Sequence, residues 1–366
     1  MKKMKNKIKR FVISALTMNP HQHSYVKNLQ EELLKNFKNY EIILLVNKKG
    51  FVNKHKRLRE IEFPLYKKNI IYRVYLFYFG LKKFSKKIKA DIWLSTDSLT
   101  PNVISKKLFT YYHTPSPFFK LKLPNLRNNL FFYLQGNIYN FFIKLLIKTN
   151  TSLIVQSKWM KKIFIKKYKI NNIIVAPLDY VNSKKKKKIN KKIKNLFYPS
   201  YPYIYKNFEL LGQCAKILDK NRRFNGKIIL TMNINQNNYA KNFFNTYSKY
   251  KILKFVGYQS RRNIFKLYKN SDALIFPSLM ETWGLPLSEA KKYDLPIIAS
   301  NLNYAKESVG SYHSTIFFDP KNANELANIL LKVNEGKNIF KRSYFNNPKG
   351  KYAQNNNELI NLLINE

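Results

Sequence analysis

The chain has 366 residues, enough for two or three domains of ordinary size. Apolar residues make up 45%, with 27 Phe and 26 Tyr, which excludes a disordered polar tail despite 68 Lys and Arg against 20 Asp and Glu. The formal charge of +48 leaves three partners or causes open: nucleic acid, an anionic membrane surface, or a general lysine and asparagine bias that decorates every solvated face.

The basicity is concentrated at the front. Residues 1–200 hold 44 basic and 8 acidic side chains, a net +36, whereas residues 201–366 hold 24 and 12, a net +12. No carboxylate occurs between Asp97 and Asp179. The lone cysteine, Cys214, lies among apolar residues of helical spacing, which rules out a disulfide framework or a cysteine-based metal site from this chain alone and fits a reducing compartment.

In chain order, short apolar runs at 11–16, 42–46, 92–95, 108–112, 152–155 and 173–175 read as buried strands, with stretches of helical length between them, such as 25–37 and 159–168. The run at 11–16 follows a basic start as a signal peptide would, but it is short and the polar segment 19–24 follows it, so it reads as a first strand. The most apolar segment, 70–81, is interrupted by Arg73, and no stretch reaches the ~18 uncharged apolar residues that a membrane-spanning helix needs. The pattern restarts with strands expected at 196–198, 228–232, 253–256, 273–276 and 296–300. Strands alternating with helices imply βαβ units and mainly parallel sheets. Between the two sets, five consecutive lysines at 184–188 repel one another and read as part of a solvated linker. The expected organisation is a first domain over 1–178, a basic linker over 179–195 and a second domain over 196–350, with a helix at about 353–366 packing back on the first. A cleft between two such α/β domains is a common ligand site.

The stretch 271–299, SDALIFPSLMETWGLPLSEAKKYDLPIIA, carries the most chemistry. A strand ends at Pro277 and Ser278, a loop holds Glu281, Trp283 and Gly284, Pro286 suits the first turn of a helix, and Glu289 falls near that turn. A helix N-terminus beyond the carboxyl end of a parallel strand offers backbone N–H groups to phosphate, and Gly284 lets a ligand approach the backbone. Two carboxylates beside such a loop suit sugar hydroxyls better than phosphate. Each glutamate taken alone has a plainer reading, Glu289 complementing its helix dipole and Glu281 as a surface residue.

Glu281, seven residues, then Glu289, within FPSLMETWGLPLSEA, resembles the E-x7-E motif of the retaining glycosyltransferases of family 4. The resemblance implies the GT-B fold, two Rossmann-like α/β/α domains facing a central cleft. It implies a nucleoside diphosphate sugar as donor, a saccharide or lipid-linked saccharide as acceptor, no metal or other cofactor, and no specific nucleic acid. Donor contacts are implied at Gly257, Tyr258, Trp283, Gly284 and Leu285, with Glu281 on hydroxyls of the transferred sugar and Glu289 on the ribose. The segment YPSYPYIYKNFELL at 198–211 is similar to the family's loop and helix after the first strand of the second domain, and places Lys206 on the donor diphosphate. Lys206 directly precedes a helix starting near Asn207, read as its N-cap; a cation there opposes the dipole, which an anionic ligand would relieve. The arginine that usually accompanies this lysine is replaced by Ser200 and Tyr201.

In the first domain, the strand at 108–112 runs into HTPSPFF, and the resemblance places His113 beside the reacting sugar. The family's glycine-rich loop after the first strand reads MNPHQHSY at 18–25, without glycine; His21, Gln22 and His23 are acceptor contacts or solvated side chains, and no metal is assigned to them. Residues 118–148 interleave Phe118, Phe119, Phe131, Phe132, Phe141 and Phe142 with Lys120, Lys122, Arg127, Lys144 and Lys148, as an anionic bilayer or an ordinary solvated helix face would require. The expected setting is cytoplasmic, on the inner face of the membrane if the bilayer reading holds, in cell-surface polysaccharide synthesis. Two other classes remain open: a basic nucleic-acid binder, which leaves the E-x7-E region unexplained, and a GT-B epimerase or inactive relative.

Overall fold

A computed structural model describes residues 8–17, 20–50, 55–119, 123–178, 192–221, 223–345 and 350–366. The chain divides into two compact units, Met1–Leu178 with Pro348–Glu366, and Asp179–Asn347. The lysine run at 184–188, expected as linker, lies outside the described residues.

In the first unit seven strands form one parallel sheet: β1 (Lys9–Ala15), β2 (Tyr40–Val46), β3 (Leu58–Glu62), β4 (Ala90–Ser95), β5 (Ser105–Tyr112), β6 (Ser152–Val155) and β7 (Ile173–Val175). Their spatial order is 3-2-1-4-5-6-7, the doubly wound arrangement that reverses direction between β1 and β4. β1 reads as an unbroken apolar run because its residues 11–15 are buried on both faces, with Ile13 opposite Leu44 on one side and Leu94 on the other. β3 was not anticipated; its sequence LREIE is charged and half-exposed because it forms the sheet edge.

The helices are α1 (Pro20–Asn36), α2 (Ile70–Tyr75), α3 (Leu81–Ile88), α4 (Leu123–Leu146) and α5 (Lys158–Tyr168), with a π-helical turn at Leu76–Gly80 joining α2 to α3. α1 begins at Pro20, so the segment expected as a loop over 18–25 is largely helix, and Met18 and Asn19 lie outside the described residues. Leu29 and Leu33 of α1 and Leu359, Ile360 and Leu363 of a C-terminal helix (Asn356–Asn365) cover one face of the sheet; Leu76, Phe77 and Leu81 cover the other. The C-terminal segment is also tied in through its backbone, Val175 N–H donating to Lys351 O at 2.9 Å and Ala353 N–H to Val175 O at 2.9 Å.

The second unit repeats the plan with β8 (Asn195–Tyr198), β9 (Lys227–Leu230), β10 (Leu253–Phe255), β11 (Ala273–Phe276), β12 (Ile297–Ser300), β13 (Tyr312–Phe318) and β14 (Lys341–Ser343), in the order 10-9-8-11-12-13-14. Only β14 runs antiparallel, against β13. The unit's helices are α6 (Phe208–Asn221), α7 (Asn238–Tyr247), α8 (Arg261–Lys269), α9 (Leu285–Lys292), α10 (Asn303–Val309) and α11 (Ala323–Asn334). Phe208, Leu211, Ala215 and Leu218 form the buried stripe of α6, and Cys214 lies beside them with its thiol pushed up to about 12 by burial. β13 escaped the sequence reading because YHSTIFF neither alternates cleanly nor forms a continuous apolar run.

Candidate active site

The second sheet reverses direction between β8 and β11, which pair in parallel with Leu274 opposite Phe197. Ligands of such sheets bind beyond the carboxyl ends of the strands at this point. The two loops that leave there are laced together. Leu279 N–H donates to Tyr205 O at 2.7 Å, Tyr198 OH donates to Lys206 O at 2.7 Å, and Tyr198 OH and Ser278 Oγ lie 3.0 Å apart. Asn207, expected as an N-cap, instead adopts a left-handed backbone (φ 58°) and sends its amide across to Pro277 O at 3.1 Å and Pro320 O at 2.9 Å. Asparagine is one of the few residues that tolerate that conformation, and it fixes the turn that presents Lys206.

Lys206 and Glu281 meet across these loops, Nζ to Oε1 at 2.6 Å, with 15% and 10% of their side chains exposed. The pair neutralises two charges that would otherwise be costly to bury. Lys206 Nζ also lies 5.2 Å above the Tyr205 ring. Burial, and then the negative charge of Glu281, push the phenols of Tyr205 and Tyr304 well up, so both remain protonated.

Trp283 is buried, and its Nε1–H donates to Ser288 Oγ at 2.9 Å, pinning the loop onto α9. Gly284 precedes α9 with φ 85°, and Leu285 and Pro286 open the helix. A Cβ on Gly284 would stand 3.1 Å from Leu287 Cδ1, but its left-handed backbone is the stronger constraint. In the first turn of α9 Pro286 has no N–H and Leu287 N–H donates to Gly284 O at 2.9 Å, which leaves the remaining first-turn N–H groups and the helix dipole as the positive end beside the loop of Glu281.

Glu289 lies at the fifth position of α9, just past the first turn near which the sequence reading placed it. It is buried; Tyr268 OH donates to Oε2 at 2.8 Å and Arg261 pairs with Oε1. Arg261 opens α8, stacks its guanidinium 4.5 Å over Phe265, and follows the loop holding Gly257 (φ 68°) and the exposed Tyr258. The structure thus pairs Lys206 with Glu281, and Glu289 with Arg261 and Tyr268. The sequence reading missed the last two, although two successive arginines right after Gly257–Ser260 were a visible signal. At the place of the absent arginine, Ser200 N–H donates to Thr231 Oγ1 at 2.9 Å, Tyr203 stacks on Tyr205 with ring centroids 5.5 Å apart, and Tyr201 tilts against Tyr203 at 4.7 Å.

In the first unit, His113 stands at the end of β5. Its Nδ1 lies 3.0 Å from Ser98 Oγ, and its backbone N–H donates to the same oxygen at 3.1 Å. Ser98 has φ 57°, a strained backbone for serine, and follows Asp97 at the end of β4. Asp97 ties β4 to β1 by accepting from Ser14 Oγ at 2.6 Å and from Thr17 N–H and Oγ1, each at 2.8 Å. Burial pushes the His113 imidazole down to about 4, so it is neutral at pH 7. The side chains of His21, Gln22, His23, Lys120, Lys122, Arg127, Phe131 and Phe132 lie outside the described set. Phe118 packs edge-on against Phe164, while Phe141 is 61% exposed.

Residues 179–349 match the family described as "Glycosyl transferases group 1". The match takes in the whole of the second unit, Asp179–Asn347. Among curated proteins, 119 residues of this chain are 25% identical to the "Uncharacterized glycosyltransferase MJ1607" of Methanocaldococcus jannaschii, a match that covers 32% of this chain and only 30% of that protein. Solved structures match over nearly the whole length. Sucrose-phosphate synthase from Thermosynechococcus elongatus superposes with a TM-score of 0.64 at 16% identity, covering 90% of this chain and 92% of that one. WaaG, a glycosyltransferase involved in lipopolysaccharide biosynthesis, superposes with a TM-score of 0.59 at 14% identity and the same coverage. At these identities the likeness shows the fold, and it is the GT-B pair of Rossmann-like sheets. Among the described residues no three His, Cys, Asp or Glu cluster as a metal site, and no helix is long and apolar enough to cross a membrane.

Proposed function

We propose that this group 1 glycosyl transferase moves a sugar from a nucleoside diphosphate to a saccharide or lipid-linked saccharide, with retention of anomeric configuration and without a metal. The observation that carries the reading is the Lys206–Glu281 pair at the switch point of the second sheet, 2.6 Å apart and next to the N-terminus of α9. In the free protein these charges satisfy each other. An arriving diphosphate offers Lys206 a stronger acceptor, and the freed Glu281 carboxylate then accepts hydrogen bonds from hydroxyls of the sugar.

The bond from the anomeric carbon to the diphosphate oxygen breaks as the acceptor oxygen bonds to the same face, and the acceptor's proton passes to the departing diphosphate. Lys206 and the first turn of α9 stabilise the charge that grows on the leaving group, a contribution of the oxyanion-hole kind. Glu289 holds the ribose from its place beneath Tyr268 and Arg261. Neutral His113, oriented by Ser98, holds sugar or acceptor hydroxyls. The cytoplasm is the compartment proposed, and synthesis of a cell-surface polysaccharide the setting, in line with the involvement of WaaG in lipopolysaccharide biosynthesis.

The test is to incubate the purified protein with a panel of nucleotide sugars and follow donor hydrolysis and thermal stabilisation. At least one donor should be hydrolysed and should raise the melting temperature, and Lys206→Met should abolish both effects. Stabilisation by no donor, or equal response in Lys206→Met, would overturn the assignment.

A further inference from the structure

Sugar transfer leaves unexplained the most apolar segment of the sequence, 70–81. This segment is inverted relative to an ordinary surface helix. Ile70, Ile71, Val74, Tyr75 and Phe79 are 71, 77, 38, 55 and 66% exposed. Arg73, its one charged residue before Lys82, turns inward: Nε–H donates to Tyr66 O at 3.0 Å and the guanidinium lies 5.4 Å over the Tyr66 ring. Ile71, Tyr75 and Phe79 follow one another at helical spacing, so they form a stripe. The opposite side is occupied by core residues Leu76, Phe77 and Leu81.

α4 carries a second stripe, Leu134, Ile138, Phe141 and Leu145, 47 to 61% exposed. The two elements meet where Tyr78 stacks on Phe142 with ring centroids 5.4 Å apart. Among the described residues, nine of seventeen exposed large apolar side chains lie on these two segments, 70–79 and α4, so the exposure is concentrated rather than scattered.

The charge around them has one sign. Lys68 just before α2, Lys82, Lys83, Lys86 and Lys87 on α3 directly after the π-helical turn, and Lys144 on α4 are all exposed. Between Glu62 and Asp179 the chain holds two carboxylates: Asp97 is 2% exposed, and Asp91 is held by the Arg10 backbone and by Lys106. Self-association through this face would set lysines against lysines, which opposes a second copy as the occupant.

We propose that this face docks on an anionic lipid bilayer, α2 and the π-helical turn lying in the interface with Ile71, Tyr75 and Phe79 among the acyl chains and the lysines of α3 at the headgroups. The inference deepens the lipid-linked acceptor reading and rests on it for its purpose, not for its physics. The test is flotation of the full chain with phosphatidylcholine vesicles with and without phosphatidylglycerol, no sugar present. Wild type should float with the anionic vesicles at low salt and progressively less as salt rises. Ile71→Ser with Phe79→Ser should weaken partitioning roughly tenfold or more. Lys82→Glu with Lys86→Glu should remove the preference for anionic lipid while leaving the melting temperature near wild type. The proposal is overturned if wild type ignores anionic vesicles, if the serine variant melts normally and binds as wild type does, or if sedimentation shows a dimer that the serine variant dissolves while vesicle binding persists. Because these vesicles carry no sugar, failure here leaves donor hydrolysis unaffected, and failure of donor hydrolysis leaves flotation unaffected.

Discussion

Lys206 and Glu281 are each buried against the other, so removing one should cost stability and function by separable amounts. With 15% and 10% of their side chains exposed, the pair is close to the buried limit. Lys206→Met then leaves an uncompensated carboxylate, at about 3 kcal/mol, the lower end for a broken buried pair. For a unit the size of residues 179–347 that amounts to a fall in melting temperature of about 6–12 °C. Glu281→Gln should fall in the same range. The double variant should be less destabilised than the sum of the two by about 1–3 kcal/mol, because neither charge is left behind. Function should not follow stability: loss of Lys206 should reduce transfer by about 100- to 1,000-fold, as loss of one oxyanion-hole donor does, and the double variant should stay inactive. Melting curves and donor turnover for the four proteins check both halves. Additive melting shifts, or a Lys206→Met variant within twofold of wild-type turnover, would refute the coupling on which the site is built.

Glu289→Gln should raise KM for the nucleotide sugar far more than it lowers kcat, since contacts to the ribose are made equally in the ground and transition states; steady-state kinetics over a donor titration measure it. His113 binds a proton more weakly folded, at about 4, than unfolded, near 6.5, so its contribution to stability is complete above the unfolded value and is lost as pH falls toward 4. Melting temperature followed from pH 7 to pH 4 should therefore drop more steeply in wild type than in His113→Asn, and identical slopes would count against the buried neutral imidazole. Gly284→Ala should destabilise by about 1–2 kcal/mol, because alanine pays for the left-handed backbone at φ 85°, and should weaken donor binding with it; denaturant melts with and without donor test this. Leu363→Ala should cost about 2–4 kcal/mol and act on the first unit, where the residue is fully buried, as hydrogen exchange resolved by unit would show.

The central strands were legible because burial on both faces writes itself as unbroken apolar runs, as in 11–16 and 273–276. Edge strands such as β3 escape this signal, since one side meets water and the composition follows. Within the site, motif spacing found Lys206 and Glu281 separately, but 75 residues separate them in the chain and only the strand order brings them to 2.6 Å. Arg261 illustrates the remaining gap. An arginine at the start of a helix reads as solvated, and nothing local discloses that its partner lies on the next helix but for the fold that stacks α8 beside α9. The stripe at 70–79 was read correctly as apolar, yet periodicity does not say which side of a helix faces the sheet; Arg73 binding the Tyr66 carbonyl decides it.

The return of residues 348–366 to the first unit has a consequence in time. The second unit is continuous in the chain and can complete its core as soon as Asn347 has left the ribosome. The first unit cannot, although its sheet emerges earlier: Phe11, Ile42 and Leu44 wait for Leu359, Ile360 and Leu363 to cover them. Throughout synthesis of some 170 intervening residues, Asp179–Asn347, a strip of apolar sheet stays open. The order of completion is thus the reverse of the order of translation, and the nascent first unit is the stage at which apolar surface stays uncovered longest.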